Sequence, residues 1–333
     1  MCLAPIIDAP ASSIRASFII AGALCRVRSN SRSLLASLRA IPDATEEDSE
    51  ERSVTTPDSF TLTVIVTTRD SHINEHQPRF RGRDHLLFAS FGAGNVFTFD
   101  LLRREITASI SEGLARNSSF WQSTLLPIAI GVLGPSLGIA PLHCACLTAG
   151  NSGLLLAGVS GAGKSTLAAA MGQSGFDLLS DDWTYISARP ESDDLHAHGL
   201  TVPVKLLPDA VNHFPELRGQ TLGLAMNGEM SFEVDPAVLN IRSAESCVPS
   251  RLIFVRRISP PELRLTPVEP NLACEFFLRS AERLPPELTG AAHRRSSIID
   301  RIASLECWLF SYGGPPHPAA RFLHTWHMER VHA

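Results

Sequence analysis

Apolar and polar positions follow two different textures along this chain. In the first texture, residues 16–27 form a strand-like apolar run and 31–39 a short helix-like one. Phe60–Val66 alternates apolar and polar residues, as a half-buried strand does. His85–Phe91 and Asn95–Leu101, joined by Gly92-Ala93-Gly94, predict a hairpin. Phe120–Leu133 is apolar enough for a buried helix, and Pro127 is expected to kink it. Between these elements lies 42–59, acidic, rich in Pro, Ser and Thr and nearly free of apolar side chains. It cannot bury enough surface to offset its ordering entropy, so it reads as a mobile linker. Residues 1–135 therefore predict a small α+β domain.

From about residue 140 the texture becomes strand, glycine loop, helix, strand. Leu142–Thr148 and Leu154–Ala157 read as strands, Ser165–Gln173 as a helix that Gly175 ends, and Phe176–Ser180 as the strand running into Asp181-Asp182. Arg251–Val255 reads as a strand, and 271–283, 293–309 and 317–328 as helical stretches. The expectation is a second, α/β domain over 136–333.

Composition narrows this picture. The 333 residues are 44% hydrophobic and 19% charged, which suits a globular protein with a sizeable core. A net charge of −5 argues against a generic nucleic-acid binder, and the pairs Arg256-Arg257 and Arg294-Arg295 read as solvated surface. Seven scattered cysteines read as reduced thiols. Ser17–Cys25 is apolar but too short to span a bilayer, and charges flank it closely, so the expectation is a cytoplasmic protein with no membrane partner. Cys144 and Cys146, two apart on one strand, would share a face; with only His143 beside them and no second Cys/His cluster, a zinc site is not expected.

The chemistry begins at Gly158-Val159-Ser160-Gly161-Ala162-Gly163-Lys164-Ser165, which matches G-x-x-x-x-G-K-[ST] at every fixed position. Glycines let successive N–H groups turn inward onto an anion, and a helix starting at the loop's end adds its positive pole. Lys164 would then reach the β and γ phosphates of a nucleoside triphosphate, and the Ser165 hydroxyl would ligate Mg²⁺. Gly158, Ser160, Gly161, Ala162, Gly163, Lys164, Ser165 and Thr166 are the candidate phosphate-binding residues for ATP.

Asp181 and Asp182 follow Lys164 by 17 and 18 residues, at a strand end. Taken alone, the pair also fits a polar turn. At this distance from a complete phosphate loop, one carboxylate can hold the metal and the other can take a proton from an attacking hydroxyl.

Leu142-His143, Gly153–Thr166 and the run Gly175-Phe176-Asp177-Leu178-Leu179-Ser180-Asp181-Asp182 together resemble the HPr kinase/phosphorylase family and its bacterial relatives. The resemblance is strong over about 45 residues and weak from 140 to the C-terminus. It implies an α/β P-loop kinase domain of the phosphoenolpyruvate-carboxykinase-like type and ATP- and Mg²⁺-dependent phosphorylation of a seryl hydroxyl. Some relatives look to be lasso-peptide-associated kinases acting on a precursor peptide. Carried over by position, Lys164 matches the phosphate-binding lysine, Ser165 and Asp181 the metal ligands, Asp182 the base, and His143 a histidine near the γ-phosphate. Without the resemblance, His143 reads as a core residue.

Two departures stand out: Thr166 replaces the usual Glu after Lys-Ser, and the glycine-rich Arg-Gly signature is reduced to Arg218-Gly219. Lys205 matches a lysine of the divergent relatives and equally fits a solvated position. The expected acceptor is a serine of a peptide or protein, held partly by residues 1–135. A small-molecule kinase and a non-catalytic nucleotide-binding regulator are the alternatives. Whether copies form a homo-oligomer stays open.

Overall fold

The computed structural model describes residues 13–42, 44–47, 59–68, 78–188, 194–200, 202–225 and 228–331. The chain divides into two compact units, Met1–Gly138 with Leu284–Ala292, and Ile139–Arg283 with His293–Ala333.

The first unit is built on an eight-stranded sheet of β1 (Ile14–Ile20), β2 (Ala23–Ser29), β3 (Thr45–Glu46), β4 (Ser59–Thr67), β5 (Arg79–Arg83), β6 (Leu86–Ser90), β7 (Val96–Asp100) and β8 (Glu105–Ser111). Their order is β3-β1-β2-β4-β8-β7-β6-β5. The run 16–27, expected as one strand, is a hairpin that turns at Ala21-Gly22, where φ is 48° and 81°. The predicted hairpin is present as β6 and β7. Part of the acidic segment is ordered, since β3 pairs with β1; positions 43 and 48–58, where most of the expected mobility lies, fall outside the described residues.

Ser118–Leu137 is helical throughout, and among the described residues it is the one helix long and apolar enough to cross a membrane. Most of it is buried, with Phe120 and Trp121 packed edge-on against Phe91 and Phe97 of the same unit. Pro127 lies inside this continuous helix, directly after the π-helical turn Trp121–Leu125 and at the second residue of the α-helical stretch Leu126–Leu137, so the helical hydrogen-bond pattern changes where the sequence places the proline.

The second unit holds β9 (Ile139–His143), β10 (Ala145–Ala149), β11 (Ser152–Ala157), β12 (Asp177–Ser180), β13 (Trp183–Ala188) and β14 (Leu195–His198). A separate three-stranded sheet follows, with β15 (Val204–Leu206), β16 (Leu222–Leu224) and β17 (Met230–Val234) in the order β15-β17-β16. The chain then returns to the large sheet as β18 (Ser246–Arg257), β19 (Leu263–Pro267) and β20 (Glu306–Tyr312). That mixed sheet runs β12-β10-β11-β18-β14-β13-β9, with β20 beside β18 and β19 beside β20.

Its centre, β11-β18-β20, is parallel and covered on both faces. One face packs under the helices Lys164–Gln173 and Pro316–Val331 through Leu154, Leu156, Ile253 and Phe310. The other packs under Pro270–Ser280 and Thr289–Arg301 through Leu155, Leu252 and Cys307. Leu154, Leu155 and Leu156 are therefore all buried, as strands covered on both faces require.

Two expectations are corrected here. Leu142–Thr148 is not one strand: the chain breaks at Cys144, whose carbonyl accepts from the Thr184 hydroxyl, so β9 pairs with β13 while β10 pairs with β11 and β12. The end of 293–309 is not helical either. Glu306–Tyr312 is a strand buried between layers, and a short apolar run of that kind carries no period to separate strand from helix.

Candidate active site

The loop Gly158–Gly163 leaves the end of β11 and leads into the helix Lys164–Gln173. Gly158, Gly161 and Gly163 have φ of 151°, 78° and 88°, so the turn is built from conformations that side-chain-bearing residues avoid. At Gly163 space adds a second constraint, since a Cβ there would lie 2.7 Å from the Tyr312 hydroxyl and 3.3 Å from Arg257 Cδ. Gly163 caps the helix without a side-chain hydrogen bond. The first-turn amides thus keep their donors for a ligand at the positive end of the helix.

Lys164 is 8% exposed, and its Nζ donates to the carbonyls of Gly158 (2.9 Å) and Val159 (3.4 Å). The ammonium therefore lies against the loop's own backbone.

Asp181 and Asp182 occupy the turn between β12 and β13. The turn is clamped from beneath: Ser180 and Thr184 hydroxyls lie 2.7 Å apart, and Thr184 reaches Cys144 O at 2.8 Å. Behind it, Gly199 lies so close to the Leu179 carbonyl that no Cβ fits between them.

The two carboxylates have opposite environments. Asp181 is 4% exposed; its Oδ2 accepts from the Lys205 amide at 3.1 Å, while its Oδ1 is buried without a hydrogen-bond partner. Burial pushes its carboxyl up to about 6, against the opposing pull of the Lys205 amide, the Ser165 hydroxyl and the Lys164 charge. Asp182 is largely exposed, and its Oδ1 meets His143 Nε2 at 2.8 Å. Its partial burial would raise its carboxyl, but the His143 hydrogen bond, with the charges of His143, Lys164 and Lys205, holds it below the ordinary value.

His143 reaches Asp182 because of register. It pairs across β9 and β13 with Trp183, and the two rings stack at 5.4 Å and 25°.

These groups share one cavity of about 480 Å³. Of the residues predicted from sequence, His143, Ser160, Gly161, Gly163, Lys164, Ser165, Thr166, Asp181 and Asp182 line it; Gly158 and Ala162 are buried in the loop behind and do not. Lys205 also lines it, with its Nζ 3.1 Å from Glu229. Arg218 does not.

Sequence reasoning missed Trp183, Asp209, His213, Glu229 and Arg257 on the same lining. Arg256 and Arg257 are both exposed, as the sequence suggested, but they also have partners: Arg256 bonds the Ser311 hydroxyl, and Arg257 stacks 4.7 Å over Tyr312 and faces the cavity. Its signal was position, at the carboxyl end of a strand parallel to β11, where ligands gather in open α/β sheets.

The residues fit a magnesium ion. A buried acidic oxygen without a partner, influenced by the Ser165 hydroxyl, is a hard-oxygen donor set, and Ser165 and Asp181 are the residues that would hold the ion.

No protein-family model matches the chain, and neither does any curated protein. Among solved structures, the chain is similar to the Hpr(Ser) kinase/phosphatase from Coxiella burnetii, with 12% identity, 58% of this chain and 99% of that one covered, and a TM-score of 0.29.

Proposed function

We propose that this chain binds ATP with Mg²⁺ at Gly158–Ser165 and transfers the γ-phosphoryl group to a hydroxyl, that of a serine in a peptide or protein. The observation that carries the reading is the pairing of unlike carboxylates beside an uncapped helix start. Asp181 is buried with one oxygen left over, and Asp182 is open to solvent and hydrogen-bonded to His143.

Loop amides and Lys164 hold the phosphates; Lys164 exchanges its two backbone carbonyls for phosphate oxygens. Ser165 and Asp181 would hold the metal, which would supply charge neutralisation on the phosphates. Asp182, kept ionised by His143, accepts the proton of the attacking hydroxyl, and His143 orients the carboxylate. Phosphoryl transfer depends mainly on alignment and electrostatics, so a hydroxyl placed on Asp182 needs no further covalent help.

The test incubates the full chain with Mg²⁺–ATP and serine peptides and locates phosphate by mass spectrometry, with Lys164→Ala as the control. Phosphoserine from the wild type and loss of at least roughly 10²-fold in the variant are expected, the scale of one preorganised charge donor. Tight ATP binding with no transfer to any hydroxyl would favour a nucleotide-binding regulator instead.

A further inference from the structure

Most residues on the cavity lining are polar, charged or glycine. Its apolar side chains are Trp183, Leu207 and Ala210, and of these Ala210 is buried while Trp183 and Leu207 are 40% and 46% exposed. An exposed indole on the floor of a charged cavity is an uncommon use of the largest apolar side chain. Its location is specific. The ring stacks on His143, which holds Asp182, and Trp183 is the next residue after Asp182. One ring face is therefore used to fix the histidine, and the remainder lies beside the carboxylate that faces the attacking group.

Position also separates two aromatic partners that could stack there. In the proposed reading, phosphates held by the loop amides and Lys164, with a metal on Ser165 and Asp181, would set the terminal phosphate at the carboxylate turn and the nucleobase away from it. An open indole beside Asp182 is thus on the acceptor's side.

We infer that Trp183 is a specificity-determining residue for the acceptor: its open surface, with Leu207, forms an apolar subsite for the side chain next to the phosphorylated hydroxyl. The acceptor class is a serine flanked by an aliphatic or aromatic residue. This inference rests on the peptide- or protein-hydroxyl reading above. The stack on His143 gives Trp183 a second, positioning duty, because removing the ring frees the imidazole that orients Asp182.

The test is a set of synthetic serine peptides that differ only in the residues flanking the serine: Leu, Phe, Gly, Asp or Lys. Wild type, Trp183→Phe and Trp183→Ala are compared by kcat/KM, by Mg²⁺–ATP affinity and by thermal melting. The wild type should prefer Leu and Phe flanks over Gly by about tenfold or more, the scale on which apolar contacts discriminate. Trp183→Phe should keep that preference, and Trp183→Ala should lose it while binding ATP as the wild type does. A preference for charged flanks in the wild type, or an apolar preference unchanged in Trp183→Ala, would overturn the subsite and leave the kinase reading standing. Weaker ATP binding in Trp183→Ala, with flank preference intact, would assign the ring to the nucleobase and also overturn it. If no peptide is phosphorylated by the wild type, the peptide reading falls, and the subsite falls with it.

Discussion

Two charge clusters are buried in the second unit, and they are finished differently. In one, Arg251 is 6% exposed and lies against His327, which is fully buried; its guanidinium donates to His327 Nδ1 (3.2 Å), to Glu306 (3.1 Å) and to the Arg330 carbonyl (3.3 Å). It also stacks 5.6 Å over Trp326. In the other, Lys164 rests on loop carbonyls and Asp181 keeps a buried oxygen with no partner. The first cluster spends its Arg251 donors on the protein itself, and the atom it leaves over, His327 Nε2, is sealed in the packing. The second holds its spare capacity in reserve on the lining of a cavity, where a ligand can use it, and neither Arg251 nor His327 reaches that lining.

The clusters also respond to pH with opposite signs. Burial, aided by the Arg251 charge, lowers His327 from 6.5 to about 4, with His324 acting the same way and Glu306 opposing. The unfolded chain then binds the proton more tightly, so this stability is complete above pH 6.5 and is lost as pH falls through 4. Asp181 is raised from 3.8 to about 6, so the folded chain binds its proton more tightly; that stability is complete below 3.8 and is lost as pH rises through 6.

The largest expected effect breaks the comparison on the catalytic side. Asp182→Asn should lower transfer by about 10²–10⁴ and leave Mg²⁺–ATP binding nearly intact, since a base contributes to rate rather than affinity. Single-turnover kinetics beside calorimetric binding checks it; if Asp181→Asn instead loses transfer with full metal binding, the two roles are exchanged.

On the finished side, Arg251→Ala should destabilise the fold by roughly 2–3 kcal/mol, through lost packing and hydrogen bonds, with no specific change in ATP affinity. Denaturant unfolding measures it.

Asp181→Asn should do the reverse. Without metal, in EDTA at pH 8, it should be more stable than the wild type by roughly 1–3 kcal/mol, a gain that vanishes near pH 4. It should also lose the melting-temperature rise that Mg²⁺–ATP gives the wild type.

The smallest effect concerns His327. His327→Gln should flatten the acid side of the stability curve between pH 4 and 6.5, by about 1–2 kcal/mol relative to pH 7. Paired unfolding curves at pH 4.5 and 7 read this out.

The two clusters were not equally legible in the sequence. The reserve cluster is carried by local spacing: Gly158–Ser165 and Asp181-Asp182 lie on consecutive elements, so strand, loop and helix could be read in order. Arg251, Glu306 and His327 come from three separate elements, and no local period marks them as neighbours. The same reason hid Asp209, His213, Glu229 and Arg257, which come from the segment after β15, the turn before β17 and the end of β18; Trp183 adjoins Asp182 in sequence but carries no motif that marks it. The hairpin within 16–27 was hidden by its turn, because Ala21-Gly22 interrupts an apolar run with two small residues and no polar marker. The strand Glu306–Tyr312 was hidden by burial, which erases the alternation that identifies a half-exposed strand. Composition was informative where few residues had to agree, and least so where distant segments did.

Gly199 bears no chemistry and belongs to no motif, yet it has no room for a side chain against the Leu179 carbonyl, two residues before Asp181. In a genetic screen for inactive alleles, a change to alanine or serine there should score beside lesions in the carboxylates themselves. Its suppressors should map to the strand it presses on rather than to the phosphate loop. Such an allele would look like a missing catalytic residue, although what it removes is only the space that lets the catalytic turn lie where it does.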